Sequence, residues 1–104
     1  MCGILGGNLF VSKEQVEKSL DTIQYRGRDD SHVFEYQNTQ NTFFMAHQRL
    51  AIQDIVKTEK NIQPMETEDK SISLTYNGEL WHGFEEERDR LKKKYTFYTT
   101  GDTE

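Results

Sequence analysis

The chain has 104 residues and a net charge of −5, with 34% hydrophobic and 30% charged residues. This length limits it to one small domain or part of one, and the low apolar content leaves little for an independent core, which indicates an incomplete domain or a partner. The acidic balance argues against nucleic-acid binding, and no apolar run is long enough to cross a membrane. A single cysteine cannot form an internal disulfide, so we expect a cytoplasmic protein.

Cys2 is the only cysteine, and removal of Met1 would make it the N-terminal residue. A terminal cysteine carries a thiol and a free α-amine, and both groups titrate within about two units of neutral pH. The amine can therefore take the proton of the thiol, in place of a catalytic histidine. The alternative is that Cys2 is a small buried apolar residue, which is the commoner role of a lone cysteine.

The first part of the chain predicts a strand followed by a helix. Residues 3–11 have the composition of a strand loosened by glycines, where another group can approach the backbone closely. Ser12 and Gln15 form a capping-box pattern that opens the helix. Its apolar face is predicted from Val16, Leu20 and Ile23. Gly27 is the expected end of the helix, and residues 26–30 are expected to form a solvated helix exit.

Two further strands are predicted at residues 32–36 and 42–46, joined by a polar turn over residues 37–41. The second strand is the more apolar, and it leads into a segment that contains Arg49. Because Arg49 follows a buried strand, its guanidinium should be partly desolvated and should require an anionic partner. A structural ion pair and a ligand carboxylate would satisfy this requirement equally.

The second half of the chain predicts a loop, a strand, a helix and a final strand. Residues 57–70 are polar and form the loop, and residues 71–76 alternate as a half-buried strand. The helix is predicted from the helical spacing of four apolar residues, Leu80, Phe84, Leu91 and Tyr95. Acidic residues early and basic residues late in the same segment match the helix dipole. A short strand is expected at residues 95–99. Asn77-Gly78-Glu79 therefore lies at a strand-to-helix junction, where backbone N–H groups can point outward.

Six segments, taken together, resemble the class II glutamine amidotransferase domain, and most of all the glutaminase domain of asparagine synthetases. They are Met1-Cys2-Gly3-Ile4, Arg26-Gly27, His47-Gln48-Arg49-Leu50-Ala51-Ile52, Gln63-Pro64-Met65, Tyr76-Asn77-Gly78-Glu79 and Gly101-Asp102-Thr103-Glu104. Each is weak alone, but in this order they cover nearly the whole chain. The resemblance implies an α+β fold of the N-terminal-nucleophile (Ntn) hydrolase type, an αββα sandwich of two stacked, mostly antiparallel sheets between helix layers.

The same resemblance implies the hydrolysis of L-glutamine to glutamate and ammonia. The thiol of Cys2 would attack the side-chain amide and form a thioester, while the α-amine of the same residue carries the proton. The side chain of Asn77 and the backbone N–H of Gly78 would stabilise the oxyanion. Neither a metal nor a cofactor is expected for this step, and the ammonia would pass to a synthetase domain or subunit that completes a transferase reaction.

Substrate-binding residues follow from the resemblance in the same way. Arg49 would bind the α-carboxylate of glutamine, because a planar guanidinium can bind two oxygens at once. Asp102 would pair with the α-ammonium, with help from Glu79. The wall and backbone contacts around the ligand would come from four consecutive residues, Leu50, Ala51, Ile52 and Gln53.

Two departures from the family are expected to matter. Arg28 stands where the family usually has a proline after Arg-Gly, so the loop should be softer. The family's domain is nearly twice as long, so residues 1–104 are expected to be the truncated, N-terminal part of a single domain. An open sheet edge could then pair with another chain, including a second copy.

Several alternatives stay open at this point. The chain could be a non-catalytic remnant that binds glutamine or a partner subunit, or a structural domain whose motifs coincide with the family's. A Cys-His pair is a third possibility, although His47 is expected to be structural and His32 and His82 are expected to be solvated.

Overall fold

The computed structural model describes residues 1–8, 12–53, 55 and 59–104. It confirms the α+β class, with antiparallel sheets and two α-helices. The strands are β1 (Gly3–Asn8), β2 (Asp30–Gln37), β3 (Thr42–Arg49), β4 (Met65–Glu66) and β5 (Ser73–Leu74). The helices are α1 (Lys13–Asp21) and α2 (Phe84–Lys92), with a short 3₁₀ helix at Gln24–Arg26. Within the described residues, no helix has the length and apolar character needed to cross a membrane.

The main sheet has three antiparallel strands in the order β1-β3-β2. Its register pairs Gly3 with Gln48, and Asp30 with Arg49. The start of β1 and the start of β2 therefore both lie beside the end of β3. This arrangement brings the N-terminus of the chain next to the segment that follows Arg49, although the two are nearly fifty residues apart in the sequence.

Helix α1 packs on one face of this sheet. The predicted capping box is present: the Ser12 hydroxyl accepts from the Gln15 N–H at 3.3 Å, and the Gln15 side chain accepts from the Ser12 N–H at 2.9 Å. Val16 and Leu20 of α1 form the buried core with Ala46 of β3. Four partly buried apolar side chains complete the contact, Leu5, Ile23, Val33 and Phe44. The predicted apolar face of this helix is therefore confirmed.

The end of α1 differs from the prediction. The α-helix stops at Asp21, and the chain continues through the 3₁₀ helix to Gly27, which is extended with φ −163°. A glycine is required at position 27 because the backbone of residues 49 and 50 lies too close for a side chain: a Cβ on Gly27 would lie 2.6 Å from the backbone nitrogen of Leu50. The predicted first strand is confirmed over residues 3–8, and residues 9–11 lie outside the described part of the chain.

The second sheet is much smaller than predicted. Only Ser73 and Leu74 of the expected strand 71–76 pair with β4. Leu74 is 46% exposed and Ile72 is 64% exposed, so the expectation that this strand buries its apolar face was wrong. The predicted loop 57–70 contains β4, and its buried Asn61 departs from a plain surface loop. Residues 57 and 58 lie outside the described part of the chain.

Helix α2 is shorter than its predicted pattern, since Leu80 and Tyr95 both lie outside it. It begins after Gly83, which has a left-handed φ of 73°, and its first turn is acidic as predicted. The strand predicted at residues 95–99 was wrong, because this segment is irregular. Its backbone groups bind the side chains of Arg88 and Glu104 instead of a neighbouring strand.

Candidate active site

A cavity of about 420 Å³ opens where the chain's N-terminus meets the end of β3. Nearly all of the site residues expected from the sequence line it: Cys2, Arg49, Leu50, Ile52, Gln53, Asn77, Gly78, Glu79 and Asp102. Ala51 is the exception and lies outside the lining. The structure thus gathers into one cavity residues that span the sequence from position 2 to position 102.

The thiol of Cys2 is held by the backbone of Leu50. The Leu50 N–H donates to Cys2 Sγ at 3.3 Å, and the thiol can donate to the Leu50 carbonyl at 3.7 Å. From the other side, Arg26 Nε donates to the carbonyl of Cys2 at 3.0 Å. These contacts fix the sulfur beside the segment that follows Arg49.

The charged turn 26–30 contacts this site, so its interpretation as a solvated helix exit holds only in part: Arg28 and Asp29 are exposed, whereas Gly27 is buried. The Asp29 N–H donates to the carbonyl of Arg49 at 3.1 Å, and Asp29 Oδ2 accepts from the Ala51 N–H at 2.7 Å. The carbonyl of Gly27 accepts from the buried side chain of Gln48. Only the Arg26-Gly27 segment of the resemblance indicated this role, because a local charge pattern cannot reveal contacts with a distant strand.

Arg49 is the last residue of β3 and is 8% exposed. Its Nη2 donates to the carbonyl of Gln53 at 3.4 Å, which folds residues 49–53 back on themselves. The Ile52 N–H donates to the carbonyl of Leu50 at 3.1 Å within the same turn. The expected partial desolvation of Arg49 is confirmed, and the residue lines the cavity.

Gln63 connects the part of the cavity that contains Asn77 with the part that contains Asp102. Its Oε1 accepts from the Tyr76 N–H at 2.7 Å, and its Nε2 donates to Thr103 Oγ1 at 3.1 Å. Gln63 therefore joins the residue before Asn77 to the residue after Asp102. The Gln63-Pro64-Met65 segment belonged to the resemblance, but no local pattern indicated this bridging role.

Asp102 faces the cavity from the C-terminal part of the chain. Its Oδ2 accepts a hydrogen bond from the Leu80 N–H at 2.8 Å, which ties it to the segment that follows Glu79. Asn77, Gly78 and Glu79 line the cavity just before that point. They lie between β5 and α2, as expected for a strand-to-helix junction, although the helix starts at Phe84.

The family assignment rests on the whole chain. The sequence profile described as the glutamine amidotransferase domain matches residues 1–104. The chain belongs to the glutamine amidotransferase family. The chain is also similar over its full length to glutamine-hydrolysing asparagine synthetases: it is 38% identical to asparagine synthetase 1 of Arabidopsis thaliana and 36% identical to asparagine synthetase 2 of Oryza sativa subsp. japonica.

A third such relative is asparagine synthetase 3 of Bacillus subtilis strain 168, which is 33% identical. In all three comparisons the chain is covered completely, and it spans 17% of the length of the relative. No solved structure matches the chain at a significant level.

The histidines of the chain do not line the cavity, although His47 contacts the backbone of Tyr76, which does. Among the described residues that line it there is no histidine, so the geometry does not support a Cys-His pair. His47 is 1% exposed, and burial lowers its pKa from 6.5 to about 4, although a hydrogen bond to the Tyr76 backbone opposes this shift. His32 Nε2 lies 2.8 Å from Asp30 Oδ2, so it is paired, whereas His82 is exposed.

Within residues 1–8, 12–53, 55 and 59–104, no three or more His, Cys, Asp and Glu side chains are grouped so that they could hold a metal ion.

Proposed function

We propose that the chain hydrolyses L-glutamine to glutamate and ammonia, with Cys2 as the nucleophile. The observation that carries the proposal is the cavity that Cys2 shares with an amide donor, a buried arginine and a carboxylate, namely Asn77, Arg49 and Asp102. Membership of the amidotransferase family supports the reaction class. The relatives named above are glutamine-hydrolysing, which supports glutamine as the substrate.

The chemistry follows from an N-terminal cysteine. After removal of Met1, the α-amine of Cys2 takes the thiol proton as the sulfur attacks the amide carbon of glutamine. The Asn77 side-chain amide and the Gly78 N–H stabilise the oxyanion. The carbon–nitrogen bond then breaks, and the proton leaves with ammonia. Water adds to the remaining thioester, which releases glutamate and restores the thiol.

Recognition of free glutamine requires opposite charges at two ends of the cavity. Arg49 binds the α-carboxylate, and Asp102 with Glu79 binds the α-ammonium. The wall of the cavity is supplied by four consecutive residues, Leu50, Ala51, Ile52 and Gln53. Ala51 contributes through its backbone, whose N–H is held by the carboxylate of Asp29. Losing one oxyanion donor is expected to cost about 3 kcal/mol of barrier, so Asn77 should matter more for kcat than the wall residues do.

The fold proposal is that residues 1–104 form the N-terminal part of one domain of the Ntn-hydrolase αββα type. The packing of α1 on one face of the three-stranded sheet supports one helix layer. On the opposite face, Ile4 is 39% exposed and Phe43 is 37% exposed, which suits the packing of a second sheet. The ammonia is proposed to reach a synthetase domain or subunit, and the protein is proposed to act in the cytoplasm.

Glutamate release from glutamine tests the reaction. The native chain and the Cys2→Ala and Cys2→Ser variants are compared, with melting curves to confirm that each is folded. We expect release by the native chain and a loss of at least about a thousandfold in Cys2→Ala. Activity that survives Cys2→Ala would remove the nucleophile. Glutamine binding without release by the native chain would favour a non-catalytic remnant.

A further inference from the structure

The backbone around Asp102 is attached to helix α2 by one buried arginine. Arg88 is 8% exposed, its Nη1 donates to the carbonyl of Gly101 at 3.0 Å, and its Nη2 donates to the carbonyl of Thr99. Its guanidinium carbon lies 4.5 Å from the ring centroid of Phe97 and 5.6 Å from that of Phe84. A planar guanidinium that contacts two rings and binds two carbonyls has little freedom to move.

Glu104 holds the same segment from its other end. Its Oε1 accepts from the Tyr98 N–H at 2.8 Å, and its Oε2 accepts from both the N–H and the hydroxyl of Thr99 at 2.8 Å. Glu104 Oε2 also lies 3.9 Å from Arg88 Nη2. An irregular segment leaves its backbone polar groups without strand partners, so these two side chains supply the partners that a sheet would otherwise provide.

We infer that Arg88 is a positioning residue for Asp102 and thereby sets the affinity of the site for the α-ammonium of glutamine, an inference that rests on the proposed function. Arg88 is absent from the cavity lining, so it acts through the backbone of Thr99 and Gly101 and does not touch the substrate. Asp102 follows Gly101 directly, so a shift of this backbone moves the carboxylate. A misplacement of about 1 Å in such a site can cost on the order of a hundredfold.

The test compares two substrates that differ only in the α-amine. L-glutamine carries it, and 4-carbamoylbutanoate has the same amide and carboxylate without it. The variants are Arg88→Met and, as the conservative change, Arg88→Lys. The matched control is Arg90→Met, because Arg90 lies on the same helix but is exposed and pairs with Glu87.

In Arg88→Met, the KM for glutamine should rise about tenfold or more while kcat stays within about threefold, because uniform binding of the ammonium is lost. In this variant the kcat/KM for 4-carbamoylbutanoate should stay within about twofold of wild type. The KM of Arg88→Lys for glutamine should lie between those of wild type and Arg88→Met, and Arg90→Met should match wild type on both substrates. An equal loss on both substrates, or an unchanged KM for glutamine, would overturn the inference. Arg88→Lys keeps the positive charge but loses the planar fork that binds both carbonyls, so it serves for the same comparison if Arg88→Met does not fold.

Hydrogen exchange separates this inference from the proposed function. The Leu80 N–H donates to Asp102 Oδ2, so its exchange rate reports whether Asp102 is in place. It should exchange faster in Arg88→Met than in wild type or Arg90→Met. If the wild-type chain hydrolyses neither substrate, the proposed function fails, and this exchange rate alone decides the inference. An unchanged rate would then overturn it.

Discussion

The backbone N–H of Leu50 points at Cys2 Sγ over 3.3 Å, so the proposed nucleophile and the proposed substrate-binding segment share a direct contact. The contact follows from the pairing of β1 with β3, which places Gly3 opposite Gln48. Any change that shifts residues 49–51 should therefore alter both the placement of the thiol and the binding of substrate.

Gly27→Ala should be strongly destabilising. An added Cβ would lie 2.5 Å from the carbonyl oxygen of Arg49 and 2.6 Å from the nitrogen of Leu50, and backbone atoms cannot move aside cheaply. We expect a loss of about 2 kcal/mol in the free energy of unfolding and at least about a tenfold fall in kcat/KM for glutamine. Chemical denaturation and glutamate release measure the two effects. In the control Gly6→Ala, the new Cβ has ordinary contacts, with the nearest atom at 3.5 Å. Equal behaviour of the two variants would contradict this prediction.

Asp29→Ala should weaken substrate binding more than it weakens the fold. It removes the acceptor of the Ala51 N–H, which is 2.7 Å from Asp29 Oδ2 on an exposed part of the chain. We expect the KM for glutamine to rise about tenfold, with a stability loss of about 1 kcal/mol. Steady-state kinetics and thermal melting provide the comparison. Asp29→Asn keeps an oxygen acceptor and should retain most of the activity, so a full loss in that variant would point to a role for the charge instead.

Gln63→Leu should disconnect the oxyanion side of the cavity from the Asp102 side. The Tyr76 N–H would lose its acceptor and Thr103 would lose its donor, at a cost of about 1–3 kcal/mol in stability. Because Asn77 follows Tyr76, kcat should fall about tenfold. Gln63→Glu keeps the acceptor for Tyr76 and should show a smaller loss of kcat. The prediction is wrong if the two substitutions reduce kcat by the same factor.

His47 should make the fold sensitive to acid. Burial lowers its folded-state pKa to about 4, against 6.5 when it is exposed, and the nearby charges of Arg49, His32 and Asp30 also contribute. Between these values the unfolded chain binds the extra proton, so stability is lost as the pH falls from about 6.5 to about 4. The full effect is about 3 kcal/mol.

Urea unfolding across that pH range measures the effect. In His47→Gln the part of the pH dependence due to this residue should disappear. The control His82→Gln alters an exposed histidine and should keep the wild-type slope. An unchanged slope in His47→Gln would show that His47 is protonated in the folded chain at these pH values.

The parts of the fold that the sequence predicted are those with local causes. The capping box at Ser12 and Gln15 needs only neighbouring atoms, and the turn between β2 and β3 is closed by Asn38, whose side chain accepts from the N–H groups of Gln40 and Asn41. By contrast, residues 95–99 have the composition of a strand, but the side chains of Arg88 and Glu104 bind their backbone. No local sequence pattern can reveal that these side chains, and not a neighbouring strand, bind the backbone of this segment.

The cavity residues were identified by resemblance and not by periodicity. Nothing near Cys2 in the sequence indicates that its sulfur meets the backbone of Leu50, because that contact depends on strand register across 48 positions. The contacts of Asp29 and Gln63 were missed for the same reason, since each joins segments that are more than ten residues apart.

The central claim is that Cys2, as the first residue of the mature chain, attacks the amide of glutamine. Intact-protein mass spectrometry of the natively expressed chain, after incubation with a diazoketone analogue of glutamine, tests it most directly. The account predicts a chain without Met1 that carries one adduct on the Cys2 sulfur, with labelling slowed by excess glutamine. A chain that keeps Met1 and stays unlabelled would contradict it.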